Sequence, residues 1–86
     1  MELRHLKYFQ TIAKEGSFTK AAEKLSMSQP PLSRQIKDLE NELGVTLFKR
    51  KYDHLELTKE GELFLDYANR IIELTMTAIH EVRHVK

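Results

Sequence analysis

Between Ser17 and Glu42 two amphipathic helical patterns stand only three residues apart, and nothing else in the chain constrains its fold as strongly. The first pattern places Phe18, Ala21, Ala22 and Leu25 on one face. The second places Leu32, Ile36, Leu39 and Leu43 at spacings of four, three and four. The connection, Ser26-Met27-Ser28, is too short to fold the second helix back antiparallel to the first. The pair must cross steeply, and the small side chains of Ala21 and Ala22 allow a close approach. In that geometry the first turn of the second helix projects from the surface.

That turn reads Gln29, Pro30, Pro31, Leu32, Ser33, Arg34. Prolines cost little there, because the first N–H groups of a helix have no partner within it. They also remove the donors that Ser28 would cap. The Ser28 hydroxyl and the Gln29 N–H are then free for an outside group such as a phosphate. Gln29, Ser33 and Arg34 are side-chain types that read base edges, Gln on adenine and Arg on guanine. Pro30 and Pro31 offer flat apolar contact to a thymine methyl, and Lys37, one turn on, reaches toward a phosphate. Leu32, despite its place among these residues, is assigned to the core.

Around this pair the elements follow in order. Leu3, Leu6, Phe9, Ile12 and Ala13 mark a first helix that ends at Gly16, a residue suited to a left-handed cap. Ser17 is a good N-cap. Gly44 stops the third helix. Val45–Phe48 and Leu55-Glu56-Leu57 suit two strands, with Lys51-Tyr52-Asp53-His54 as the hairpin tip. Thr58 then caps a last helix running from Lys59 nearly to the C-terminus, a rod of roughly 40 Å. The expected fold is mainly α: three helices and a β-hairpin in residues 1–58, with the helix-turn-helix at about 18–37 and the hairpin at about 46–57. The long helix occupies 59–86.

The last helix is longer than the core it can cover. Leu63, Phe64 and Tyr67 are expected to pack back onto the preceding residues. Phe64, Ala68, Ile71, Thr75, Ala78, Val82 and Val85 alternate at spacings of four and three, a heptad-like seam whose small residues suit close helix pairing. The expectation is a homodimer through this helix, the alternative being a helix that packs on a further domain.

Composition narrows the functional classes. The absence of cysteine excludes a disulfide scaffold, a zinc ribbon and cysteine catalysis. Apolar runs reach only two or three residues, so no membrane span and no signal peptide is expected, and the cytoplasm is the default location. The net charge of +1 does not announce a nucleic-acid partner, but its distribution is uneven. From Arg4 to Lys37 seven bases face two acids, and Lys49, Arg50 and Lys51 form a second basic cluster. A basic hairpin beside a helix-turn-helix is a wing that lies along phosphates or enters the minor groove, with Tyr52 and His54 as added hydrogen-bonding groups. Solvated surface accounts for much charge patterning of this kind, and a helical hairpin can be polar merely because it is wet.

One pattern is misleading. His80-Glu81-Val82-Arg83-His84 fits the H-E-x-x-H spacing of zinc peptidases. Catalytic zinc needs a third protein ligand and a walled cleft, and only two residues follow His84. Neither a Gly-rich phosphate loop nor a Ser/His/Asp grouping stands out. The expectation is a binding module with no catalysis, no metal and no cofactor.

Several spaced segments also resemble one family. Ala21-Ala22-Glu23-Lys24-Leu25, Ser28 to Ile36, Leu39 to Gly44, Leu47-Phe48-Lys49-Arg50 and Leu57-Thr58-Lys59-Glu60-Gly61 occur in the order found in the DNA-binding region of LysR-type transcriptional regulators, and Met1 to Phe9 fits as well. The resemblance covers essentially the whole chain. It implies a winged helix-turn-helix followed by a dimerising linker helix, and binding to double-stranded DNA at an inverted-repeat operator. Gln29, Pro30, Pro31, Ser33 and Arg34 would read bases. Arg50 and its neighbours would form the wing. The family also implies a tetramer in the full-length protein, with a small-molecule effector bound by a C-terminal domain beyond this chain. Wing tips in the family often carry Gly or Arg, whereas this chain has Tyr52-Asp53-His54.

Overall fold

Glycine and hydroxyl side chains set the helix ends. In a computed structural model describing residues 1–86, the elements run α1 (Leu3–Glu15), α2 (Phe18–Lys24), α3 (Gln29–Leu43), β1 (Phe48–Lys51), β2 (His54–Leu57) and α4 (Lys59–Arg83). α1 and α3 end on Gly16 and Gly44 at φ +67° and +73°, a region an L side chain rarely adopts. Ser17 accepts the Lys20 N–H at 3.2 Å, and Thr58 accepts the Gly61 N–H at 2.9 Å. Ser28 makes no side-chain cap, as the prolines behind it require.

A single apolar core joins every element. Leu6, Phe9 and Ile12 of α1 meet Ala21 and Ala22 of α2, Leu32, Ile36 and Leu39 of α3, Leu47, Phe48 and Leu55 at the base of the hairpin, and Ala68 and Ile72 of α4. Phe9 is its centre, with ring centroids 5.2 Å from both Phe48 and Phe64. The two strands pair antiparallel, Phe48 opposite Leu57 and Lys51 opposite His54, which leaves Tyr52 and Asp53 as a two-residue turn. Tyr52 takes φ +58° there and is almost fully exposed.

The first strand starts later than Val45. The Val45 N–H closes on the Glu40 carbonyl at the end of α3, and the Leu47 N–H is held by the Glu40 carboxylate at 2.7 Å. These backbone groups are taken before the ladder begins, so pairing starts at Phe48. α4 runs past the core, and the molecule is elongated, 53 × 27 × 20 Å. No helix is long and apolar enough to cross a membrane.

Candidate nucleic-acid interface

Leu32 is wholly buried and Ile36 nearly so, which fixes the rotation of α3 about its axis. Side chains two positions away on a helix face elsewhere. Pro30, Pro31, Arg34 and Lys37 are accordingly exposed, while Gln29 and Ser33 are half-buried. Gln29 Nε2 donates to Ser33 Oγ, one turn on, so the two side chains form a fixed pair. Ser28 is exposed ahead of them, and Ser26 turns the chain at φ +54°. Arg34 has no ion-pair partner in the chain, which leaves its guanidinium available.

Beside α3 lies a cleft whose rim carries Ser33, Lys37, Glu40 and Arg50 above a floor of Phe18 and Phe48. Arg50 enters it from the hairpin. Directly opposed residues of an antiparallel pair share a face, and the faces alternate along each strand. Arg50 opposite Leu55 therefore lies on the side of the recognition helix. Lys49 opposite Glu56, and Lys51 opposite His54, lie on the other side. The run Lys49-Arg50-Lys51, continuous in sequence, is divided by the pleat.

The outer group is internally paired. His54 Nε2 lies 3.1 Å from Glu56 Oε2, Lys51 Nζ 3.9 Å from Glu56 Oε1, and His54 Nδ1 3.6 Å from Asp53. The His54 hydrogen bond, aided by the nearby lysines, holds the Glu56 carboxyl below the usual carboxylate range.

Sequence reasoning passed over Glu40. Its Oε2 accepts the N–H of Leu47 at 2.7 Å and lies 3.4 Å from that of Phe48. It thereby ties the middle of α3 to the chain entering the wing. An acid seven residues upstream of a buried, non-helical leucine was the only signal available.

The exposed seam of α4 also differs from the expected one. Ala68 is completely enclosed by the chain's own core, and Phe64 is half-buried against Phe9. Ala68 therefore leaves the expected dimer seam, because α1 already covers its face, whereas Phe64 keeps part of its side chain at the surface, beside Leu63 and Tyr67. Leu63 and Tyr67, expected to pack inward, are instead 61% and 50% exposed. They continue into Ile71, Leu74, Ala78 and Val82, all exposed, as one stripe. Thr75 is half-buried, its hydroxyl bonded to the Ile71 carbonyl at 2.9 Å. Leu63 and Tyr67 also line an apolar groove with Leu43, Val45 and Leu47. At the far end His80 and His84 stack with ring centroids 4.2 Å apart, and no group of three potential metal ligands forms there or elsewhere.

A family profile described as "Bacterial regulatory helix-turn-helix protein, lysR family" matches residues 3–62. The chain belongs to the LysR family. It is 52% identical over 87 residues to the HTH-type transcriptional regulator BsdA of Bacillus subtilis (strain 168), covering all of this chain and 30% of BsdA. It is 60% identical over 67 residues to AlsR of the same strain, covering 78% of this chain and 22% of AlsR. The LysR chain thus spans less than a third of the length of these relatives. Among solved structures, a BenM_DBD/benA site 1 DNA complex aligns with TM-score 0.93 at 46% identity, covering 96% of this chain and 93% of that one. A CbnR_DBD–DNA complex aligns with TM-score 0.92 at 44% identity, covering 96% and 95%. The fold of this LysR chain is a winged helix-turn-helix with a long C-terminal helix. The family and these relatives are regulators, not enzymes.

Proposed function

We propose that this chain binds double-stranded DNA sequence-specifically, as the DNA-binding part of a bacterial LysR-type transcriptional regulator. The observation that carries the reading is the exposed N-terminal end of α3. Pro30, Pro31 and an unpaired Arg34 stand there on a helix anchored by Leu32 and Ile36, with Arg50 of the wing at the same cleft. Gln29, Pro30, Pro31, Ser33 and Arg34 read base edges in the major groove. Ser28, Lys37, Lys49, Arg50 and Tyr52 hold phosphates and set the register, while Lys51 and His54, the wing's other candidates for that role, are engaged by Glu56 within the chain. The DNA complexes of BenM_DBD and CbnR_DBD support the same docking of a chain with this fold.

Two copies pair through α4. The stripe Leu63, Tyr67, Ile71, Leu74, Ala78 and Val82 exposes more apolar surface than one helix of a monomer keeps in water. A two-fold dimer presents two recognition helices and calls for an inverted-repeat operator. In the longer regulator a C-terminal domain binds the small-molecule effector, and dimers assemble into tetramers. The protein works in the cytoplasm, where its DNA lies.

Selection of bound duplexes from a random pool, followed by fluorescence anisotropy at several salt concentrations, tests the reading. The expected result is an inverted-repeat site bound about 10³-fold or more above scrambled DNA, with both affinities falling steeply with salt. Enrichment of no sequence above the starting pool would contradict it.

A further inference from the structure

The outer face of the wing gathers three basic or titratable side chains around one carboxylate. Lys49 and Lys51 of β1 share that face with His54 and Glu56 of β2. Glu56 uses both carboxylate oxygens, Oε2 on His54 at 3.1 Å and Oε1 toward Lys51 at 3.9 Å. A backbone phosphate would draw on the same donors, the Lys51 ammonium and a ring N–H of His54. No other ion pair within the chain engages Lys51, and Asp53 is the only other carboxylate paired with His54.

We propose that Glu56 is an internal phosphate mimic that holds Lys51 and His54 off the DNA backbone and so limits the wing's sequence-independent affinity. The inference rests on the DNA-binding reading above. A regulator searching a genome is titrated by non-specific sites, and backbone contacts supply essentially all of that non-specific binding. A carboxylate placed among the wing cations removes part of it and leaves the base-reading end of α3 untouched. The low proton affinity of Glu56 keeps this charge in place across the neutral range. Arg50, on the opposite face, escapes it, and neither Arg50 nor Lys49 has an ion-pair partner within the chain.

The competing explanation is the removal of one negative charge anywhere on the molecule. Glu73, exposed on α4 away from the wing, serves as the control. Anisotropy titrations of the 86-residue chain on a selected duplex and on its scrambled counterpart separate the two. Wild-type binding tests the DNA reading itself, and only the change between variants tests this inference. Glu56→Gln should raise both affinities about three- to tenfold at physiological salt, with the cognate-to-scrambled ratio preserved. The salt slope should steepen by about one unit per wing and so about two per dimer. Glu73→Gln should leave affinity and slope near wild type. Lys51→Ala should cost little in the wild type but reverse the gain in the Glu56→Gln background. An equal gain from Glu73→Gln, an unchanged slope in Glu56→Gln, or the same Lys51→Ala loss in both backgrounds would overturn the proposal.

Discussion

The carboxylate of Glu40 accepts the backbone N–H of Leu47 at 2.7 Å, joining the recognition helix to the segment that enters the wing. Leu47 is completely buried. Its amide has no water to turn to when the acceptor is lost. Glu40→Ala should therefore cost about 1–3 kcal/mol, while Glu40→Gln, which keeps an amide oxygen as acceptor, should cost less. Urea denaturation of the two variants checks this, and equal losses would assign the effect to something other than the hydrogen bond.

Gly61 carries a second tie between the same regions. A Cβ built there would lie 2.2 Å from the Leu47 carbonyl oxygen and 3.0 Å from Leu57 Cδ2. The first of these is backbone and cannot swing aside. Gly61→Ala should destabilise the fold by about 1–3 kcal/mol or more, although alanine is otherwise the better helix former. Thermal unfolding is the measurement, and an unchanged or raised Tm would contradict the packing described.

The first helix ends and the placement of Leu32 were legible because they depend on local chemistry. Gly16 and Gly44 supply left-handed caps, Ser17 and Thr58 supply hydroxyls, and four–three spacing marks an inner face. The start of β1 was not legible, since the backbone of Val45 and Leu47 is claimed by groups distant in sequence. Nor was the seam of α4. Phe64, Ala68 and Ile72 form one helical stripe and Leu63, Tyr67 and Ile71 another, and period alone does not say which of them α1 will cover. The division of Lys49 from Arg50 followed only once the register was known.

That division of α4 separates two substitutions three residues apart. Ile71→Asp places a charge on the exposed stripe and should raise the dimer dissociation constant at least about a hundredfold while leaving the monomer folded. Ala68→Asp buries a charge in the core and should cost at least about 2 kcal/mol of stability. Sedimentation alongside circular dichroism distinguishes the outcomes. An unchanged dimer of Ile71→Asp at micromolar concentration would remove α4 from the interface.

Arg50 lies on the recognition-helix side of the wing, and a backbone contact positions without specifying. Arg50→Ala should weaken cognate and scrambled DNA about equally and make the salt slope shallower by about two for a dimer. A loss confined to one operator, or an unchanged slope, would assign Arg50 a different role.

Base reading by α3 is tested most directly at Arg34, whose planar fork spans O6 and N7 of guanine where a lysine would offer only a point charge. Affinities of wild type and Arg34→Ala for a selected site and its scrambled version should be measured side by side at fixed salt. The cognate complex should lose roughly 1–3 kcal/mol per half-site, the scrambled complex much less, and thermal stability hardly at all. An equal fall in both affinities, with the specificity ratio intact, would make Arg34 a phosphate clamp and contradict the assignment of base reading to it.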